Sequence, residues 1–303
     1  MIELTDRYFL LTLEYRHYLS HRNYSTRTVK EYPDAIAHFL KYLEEKEIHD
    51  PKDISLKDLQ SYQYTFHPLA VKTQRTKINR VKNFFAYLYK TEKIYQNLSH
   101  DLEVPRLPKT LPRGLLEPHE IEALLAQPDP LTYIGARDKA ILELFYSSAL
   151  RNAELRGLTL SSLDLYGRGL QVMGKGRKEA LVPFGYPAKE AMEYYIKQWR
   201  PVVKSKEPWL FLSYTGKKLS GHTVGDIVRR YVKEAGIDKK CTPHGLRHSC
   251  ATYLLRNGAD IRHIQELLRH TDLSSTQIYT RVDITDLREA QQKYHPRERG
   301  NNE

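Results

Sequence analysis

A mainly α-helical protein in two domains, with one small antiparallel β-sheet in the C-terminal domain, is indicated by three features of the sequence. Apolar residues recur at three- and four-residue spacing through most of the chain. A single stretch, GLQVMGKGRKEALVPF, instead alternates apolar and polar residues about a Gly-rich turn. A proline-rich connector lies between two halves, and 303 residues are enough for a core in each.

Residues 1–104 read as helices. In YSTRTVKEYPDAIAHFLKYLEEKE, Ser25 or Thr26 is suited to cap a helix. Val29, Tyr32, Ile36, Phe39, Leu40 and Leu43 follow at helical spacing. Pro33 interrupts this pattern and predicts a kink or a split into two pieces. SLKDLQSYQYTF is a shorter helix. VKTQRTKINRVKNFFAYLYK carries Lys72, Arg75, Lys77, Arg80, Lys82 and Lys90 and no acid, backed by Ile78, Val81, Phe84, Phe85 and Leu88. Such a helix suits DNA-phosphate contact with core packing behind it, and a merely solvated charged face has the same pattern. Four prolines between 105 and 118, with three basic residues among them, make residues 105–116 an extended linker. The next helix is expected to start at Glu117 or Pro118, opening a second domain over residues 117–303.

In that second domain ARDKAILELFYSSALRNAELRGLTLSSLDL reads as two helices with a break at 147–149. The β-hairpin of residues 169–184 follows, with Lys175 at its tip. Helices return in AKEAMEYYIKQWR, HTVGDIVRRYVKEAG and TPHGLRHSCATYLLRNGA. The last has Thr242 as cap, Pro243 in the first helical position and Gly258 past the end. DIRHIQELL is a short helix and DITDLREAQQKY a terminal one.

Bulk properties remove several classes. No run of about 18 apolar residues exists, so no membrane span is expected. The first residues lack the basic start and cleavage site of a secretory signal. Two cysteines, Cys241 and Cys250, are too few for a disulfide framework and lack metal-ligand spacing, which points to a reducing, cytoplasmic setting. A net charge of +11 favours a polyanionic partner, nucleic acid above all.

Taken singly, the polar motifs are weak. His244 and Arg247 stand about 60° apart on a helix, with His248 close to the same sector, and all three suit an exposed cationic face. A metal site there is not expected: Gly245 stands where the zinc motif needs Glu, and no third ligand is evident. Residues 169–175 begin like a phosphate-binding loop, but Gly176 stands where Ser or Thr should hold magnesium. Arg151 and Glu154 have the spacing of an ordinary helix-surface ion pair.

Together these motifs point one way. LRNAEL, GKGRKEALVP, TPHGLRHSCATYLLRNGADIRHIQELLRH and DLSSTQIYT resemble the tyrosine site-specific recombinases (the phage integrase family), most closely their Xer-type members. The resemblance covers the catalytic half. The helical first half plus linker suits the family's SAM-like core-binding domain, so a two-domain DNA clamp is expected.

By that resemblance Tyr279 is the nucleophile, forming a 3′-phosphotyrosyl link to DNA. Arg151, Arg247 and His270 contact the scissile phosphate and Lys175 protonates the leaving 5′-oxygen. His244 assists proton movement or stabilises the phosphate, Glu154 is a supporting acid, and His248 has no assigned role. Strand exchange would run through a Holliday junction, without ATP or a metal cofactor, on double-stranded DNA. The partners implied are other protomers in a tetramer and a paralogous recombinase, in a nucleoid-associated setting. The tail after Tyr279, with Ile284, Leu287 and Tyr294 as apolar anchors, would dock on a neighbouring protomer; docking on its own domain is the alternative. Two other readings of the chain are a type IB topoisomerase-like enzyme, which shares the chemistry, and an architectural DNA-binding protein with a decayed site. Three departures stand out: Arg269 where relatives mostly carry Gly, Ala180 where many carry Arg, and Ser-Ser-Ala-Leu-Arg for Thr-Gly-Leu-Arg.

Overall fold

The computed structural model describes residues 2–107, 115–173, 179–269 and 284–297. The chain separates into two compact units, Met1–Lys109 and Thr110–Glu303.

The first unit holds α1 (Asp6–His21), α2 (Thr26–Glu44), α3 (Leu56–Tyr64) and α4 (Val71–Lys90). Ser25 caps α2 by accepting from the Thr28 amide at 3.1 Å, which settles the choice left between Ser25 and Thr26. Pro33 lies inside α2, which stays one continuous helix, so the expected split does not occur. Its ring is buried on the same face as Ile36, Phe39, Leu40 and Leu43. Packing of that face outweighs the roughly 3 kcal/mol that an interior proline costs. Behind it the core is aromatic: Tyr15 meets Phe84 edge-on at 5.1 Å and Tyr87 at 5.0 Å.

The second unit holds α5 (Pro118–Ala126), α6 (Tyr133–Ser148), α7 (Asn152–Gly157), β1 (Leu163–Asp164), β2 (Gly169–Met173) and β3 (Glu179–Pro183). After the strands come α8 (Tyr186–Tyr194), α9 (Gly221–Glu234), α10 (Pro243–Arg256), α11 (Ile261–Leu268) and α12 (Ile284–Tyr294). The hairpin is present as β2 paired antiparallel with β3, Gly169 opposite Pro183 and Met173 opposite Glu179. The short strand β1 completes a three-stranded sheet in the order β1-β2-β3. Helix α6 is central, buried almost all round from Gly135 to Ser148, and the charges it buries, Arg137, Asp138 and Glu143, are all paired. Against it pack α8, α10 and the last helix, α12.

That last helix rests on its own unit. Gln291 donates to the Ser147 carbonyl at 2.7 Å, and Asn257 donates to the Tyr294 carbonyl at 2.7 Å. Arg297 pairs with buried Glu143 at 2.7 Å. Of the expected anchors only Tyr294 is described with its side chain, which is half-buried against the core; Ala290, Gln291 and His295 are buried more deeply. No helix among the described residues is long and apolar enough to cross a membrane.

Candidate active site

The site is built at the break after α6. Ser148 ends that helix and Ala149 turns the chain with φ +47°, a left-handed conformation rare for a residue with a Cβ. Arg151 then opens α7. Its amide donates to the Glu154 carboxylate at 2.7 Å and its guanidinium to the same carboxylate at 2.8 Å. This is no surface pair, because Glu154 is buried. A residue 115 positions further on explains how a carboxylate is tolerated there. Arg269 forks onto it, through Nη2 at 2.5 Å and Nε at 3.3 Å.

Arg247 comes from α10. Thr242 caps that helix, accepting from the Gly245 amide at 3.2 Å, and Pro243 starts it as expected. The guanidinium does not lie on an exposed face, as helical geometry alone indicated: Arg247 is 4% exposed and points inward. One donor reaches the Ala149 carbonyl at 2.6 Å and another the Leu268 carbonyl. Arg151 meanwhile donates to the Arg269 carbonyl at 2.7 Å. Arginines from α7 and α10 therefore converge on the last two carbonyls before His270. Two of the five N–H donors on each are used in these bonds to carbonyls and Glu154, which leaves donors for an anion.

The electrostatics follow from three guanidinium groups around one carboxylate. Burial lowers the Arg247 pKa, and the neighbouring Arg151 and Arg269 charges push it further, to about 10. Burial works to raise the Glu154 pKa, but the Arg269 charge and the hydrogen bonds from both arginines more than offset it, so the carboxyl sits below its usual range. The cluster keeps a positive surplus and suits a phosphate. His244 is exposed on the first turn of α10. His248 is half-buried, its pKa lowered by burial and then by His244. Ala180, on β3, is half-buried against the core.

Lys175, His270 and Tyr279 lie outside the described residues. Other tyrosines can be set aside by burial: the hydroxyls of Tyr8, Tyr15, Tyr146 and Tyr195 are all pushed up by it, opposite to what an attacking phenolate needs. On α4 the expected DNA contacts are largely engaged within their own unit. Arg75 donates to the Pro105 carbonyl at 2.6 Å and Arg80 pairs with Glu31 at 3.2 Å. Lys82 reaches the His100 carbonyl at 3.4 Å and Lys77 lies 5.1 Å from the Phe66 ring centre, while Lys72 is exposed.

Two family models match this chain, the phage integrase family over residues 115–285 and its N-terminal SAM-like domain over residues 13–92. The chain belongs to the phage integrase family. Among curated relatives it is 38% identical to tyrosine recombinase XerC 2 of Ralstonia nicotianae, covering 90% of this chain and 82% of that one. It is 35% identical to tyrosine recombinase XerD of Listeria monocytogenes, covering 94% and 98%. The fold matches that of the XerH site-specific recombinase, solved as a post-cleavage complex on palindromic difH substrate. There the TM-score is 0.70 and the identity 21%, over 96% of this chain and 89% of that one.

Proposed function

We propose that the protein is a site-specific DNA recombinase that cuts and rejoins strands through a covalent link on Tyr279. The observation that carries this reading is the convergence of Arg151 and Arg247 on the carbonyls of Arg269 and Leu268, directly before His270. Two fixed guanidinium groups and an adjoining histidine suit a phosphodiester whose non-bridging oxygens gain charge in the transition state. Losing one such donor typically costs ~10²–10³ in rate.

In this reading the Tyr279 oxygen bonds to phosphorus and the bond to the 5′-oxygen breaks, leaving a 3′-phosphotyrosyl ester. Lys175, between β2 and β3 in sequence, gives its proton to the leaving oxygen, a contribution of about 10²–10⁴. His244 assists proton movement or stabilises the same phosphate. A phenol with a pKa near 10 attacks poorly at neutral pH, and the cationic cluster favours its phenolate. One phosphate ester is exchanged for another, so bond energy is conserved and no ATP is required. The net charge of +11 and the DNA complexes of structural relatives support duplex DNA as partner. Exchange would proceed by sequential strand pairs through a Holliday junction in a tetramer, with a second recombinase as a candidate co-subunit.

The test uses nicked suicide duplexes carrying randomised inverted-repeat cores. Adducts that survive detergent, and that Tyr279→Phe abolishes, support the reading. DNA binding without any adduct favours an architectural protein, and site-independent relaxation of supercoiled plasmid favours a topoisomerase.

A further inference from the structure

Arg269 is an unusual residue for its place. It ends α11 with φ +50°, where glycine is free of strain and a side chain is rarely found. The chain nonetheless carries its bulkiest cation there, with the side chain only 12% exposed. All three guanidinium nitrogens are used: two on Glu154 and the third on the Leu267 carbonyl at 2.9 Å. Glu154 itself binds the amide and guanidinium of Arg151. One carboxylate thus joins the start of α7 to the end of α11, and the residue after Arg269 is His270.

We propose that Arg269 is a positioning residue that holds Glu154 and, through it, sets Arg151 against one phosphate. This rests on the recombinase reading above. With Arg269 in place, Arg151 can turn a donor from Glu154 toward an incoming phosphate without orphaning a buried carboxylate. Without Arg269, Arg151 is the one guanidinium on Glu154 among the described residues, and an anion in the site must compete for it. In this proposal Arg269 acts through Glu154, because each of its three guanidinium nitrogens is already bonded to Glu154 or the Leu267 carbonyl.

The test compares wild type, Arg269→Gly, Arg269→Lys, Glu154→Gln and the double variant Arg269→Gly/Glu154→Gln in single-turnover cleavage of the suicide duplexes. Glycine suits the backbone at this position, so Arg269→Gly is expected to fold. The inference predicts a cleavage rate at saturating DNA reduced by ~10–100-fold, the usual effect of losing a group that orients an active-site residue. DNA affinity should change less than about threefold, Arg269→Lys should restore part of the rate, and the two single losses should be non-additive. An unchanged saturating rate, or a loss confined to DNA affinity, overturns it. A wild-type protein that forms no adduct refutes the recombinase reading instead. Thermal unfolding of the same four-member cycle needs no DNA, and additive shifts there overturn the Arg269–Glu154 link on its own.

Discussion

Arg247 donates to the carbonyl of Ala149 at 2.6 Å, and Ala149 is the left-handed residue that redirects the chain toward Arg151. A residue from α10 thus fixes the turn that presents the arginine of α7, and its second bond, to Leu268, fixes the end of α11. The guanidinium proposed to hold the phosphate is thus also structural.

Arg247→Lys should therefore lose stability and not activity alone. A single ammonium cannot reproduce a planar fork between two carbonyls. Leaving one buried carbonyl without a donor costs about 1–3 kcal/mol. Urea unfolding should show that loss with an unchanged m-value; equal stability would mean the carbonyl bonds do not anchor the turn.

Glu154 makes a pH prediction of definite sign. Its folded pKa is depressed, so its contribution is present above the unfolded value near 4.5 and is lost as pH falls through the lower folded value. The melting temperature of Glu154→Gln should lie below wild type at pH 7, and the gap should close below pH 4.5. All other carboxylates are common to both proteins, so a gap independent of pH would contradict the ion cluster.

His295 predicts the opposite end of the scale. It is buried, donates through Nε2 to the Tyr146 carbonyl at 3.2 Å, and accepts at Nδ1 from the Arg297 amide at 3.3 Å. Burial drives its pKa down to about 4, with Arg297 adding to the effect and the Tyr146 bond opposing it. Stability from the neutral ring is complete above pH 6.5 and is lost as pH falls toward 4. Between pH 6.5 and 5 the loss is about 2 kcal/mol at 1.36 kcal/mol per unit. Protection factors of residues 288–297, taken against the intrinsic exchange rate at each pH, should fall over that range in wild type and lose this dependence in His295→Phe.

The cations of the basic helix α4 differ in how they are engaged. Lys72 is exposed and Arg75 is bound to the Pro105 carbonyl. If Lys72 meets a DNA phosphate, Lys72→Ala should make the slope of log K against log salt shallower by about 0.9. An unchanged slope would mark it as a solvated lysine.

What the sequence revealed follows from how local each signal is. Ser25, Thr242 and Pro243 announce helix starts because a cap acts within three residues. The hairpin was readable from its alternation, whereas β1 is two residues long and carries no period. Pro33 misled because a local rule lost to burial of a whole helix face. Arg247 and Glu154 looked like surface residues because their partners lie far away in sequence, at Leu268 and Arg269. Arg269 was legible as a departure from the family pattern, but its partner was not.

The most direct test is mass spectrometry of the protein after reaction with a nicked duplex and nuclease digestion. A single modified peptide is expected, carrying a nucleotide joined by its 3′-phosphate to Tyr279. A nucleotide joined through its 5′-phosphate, or attached to any other residue, would contradict it.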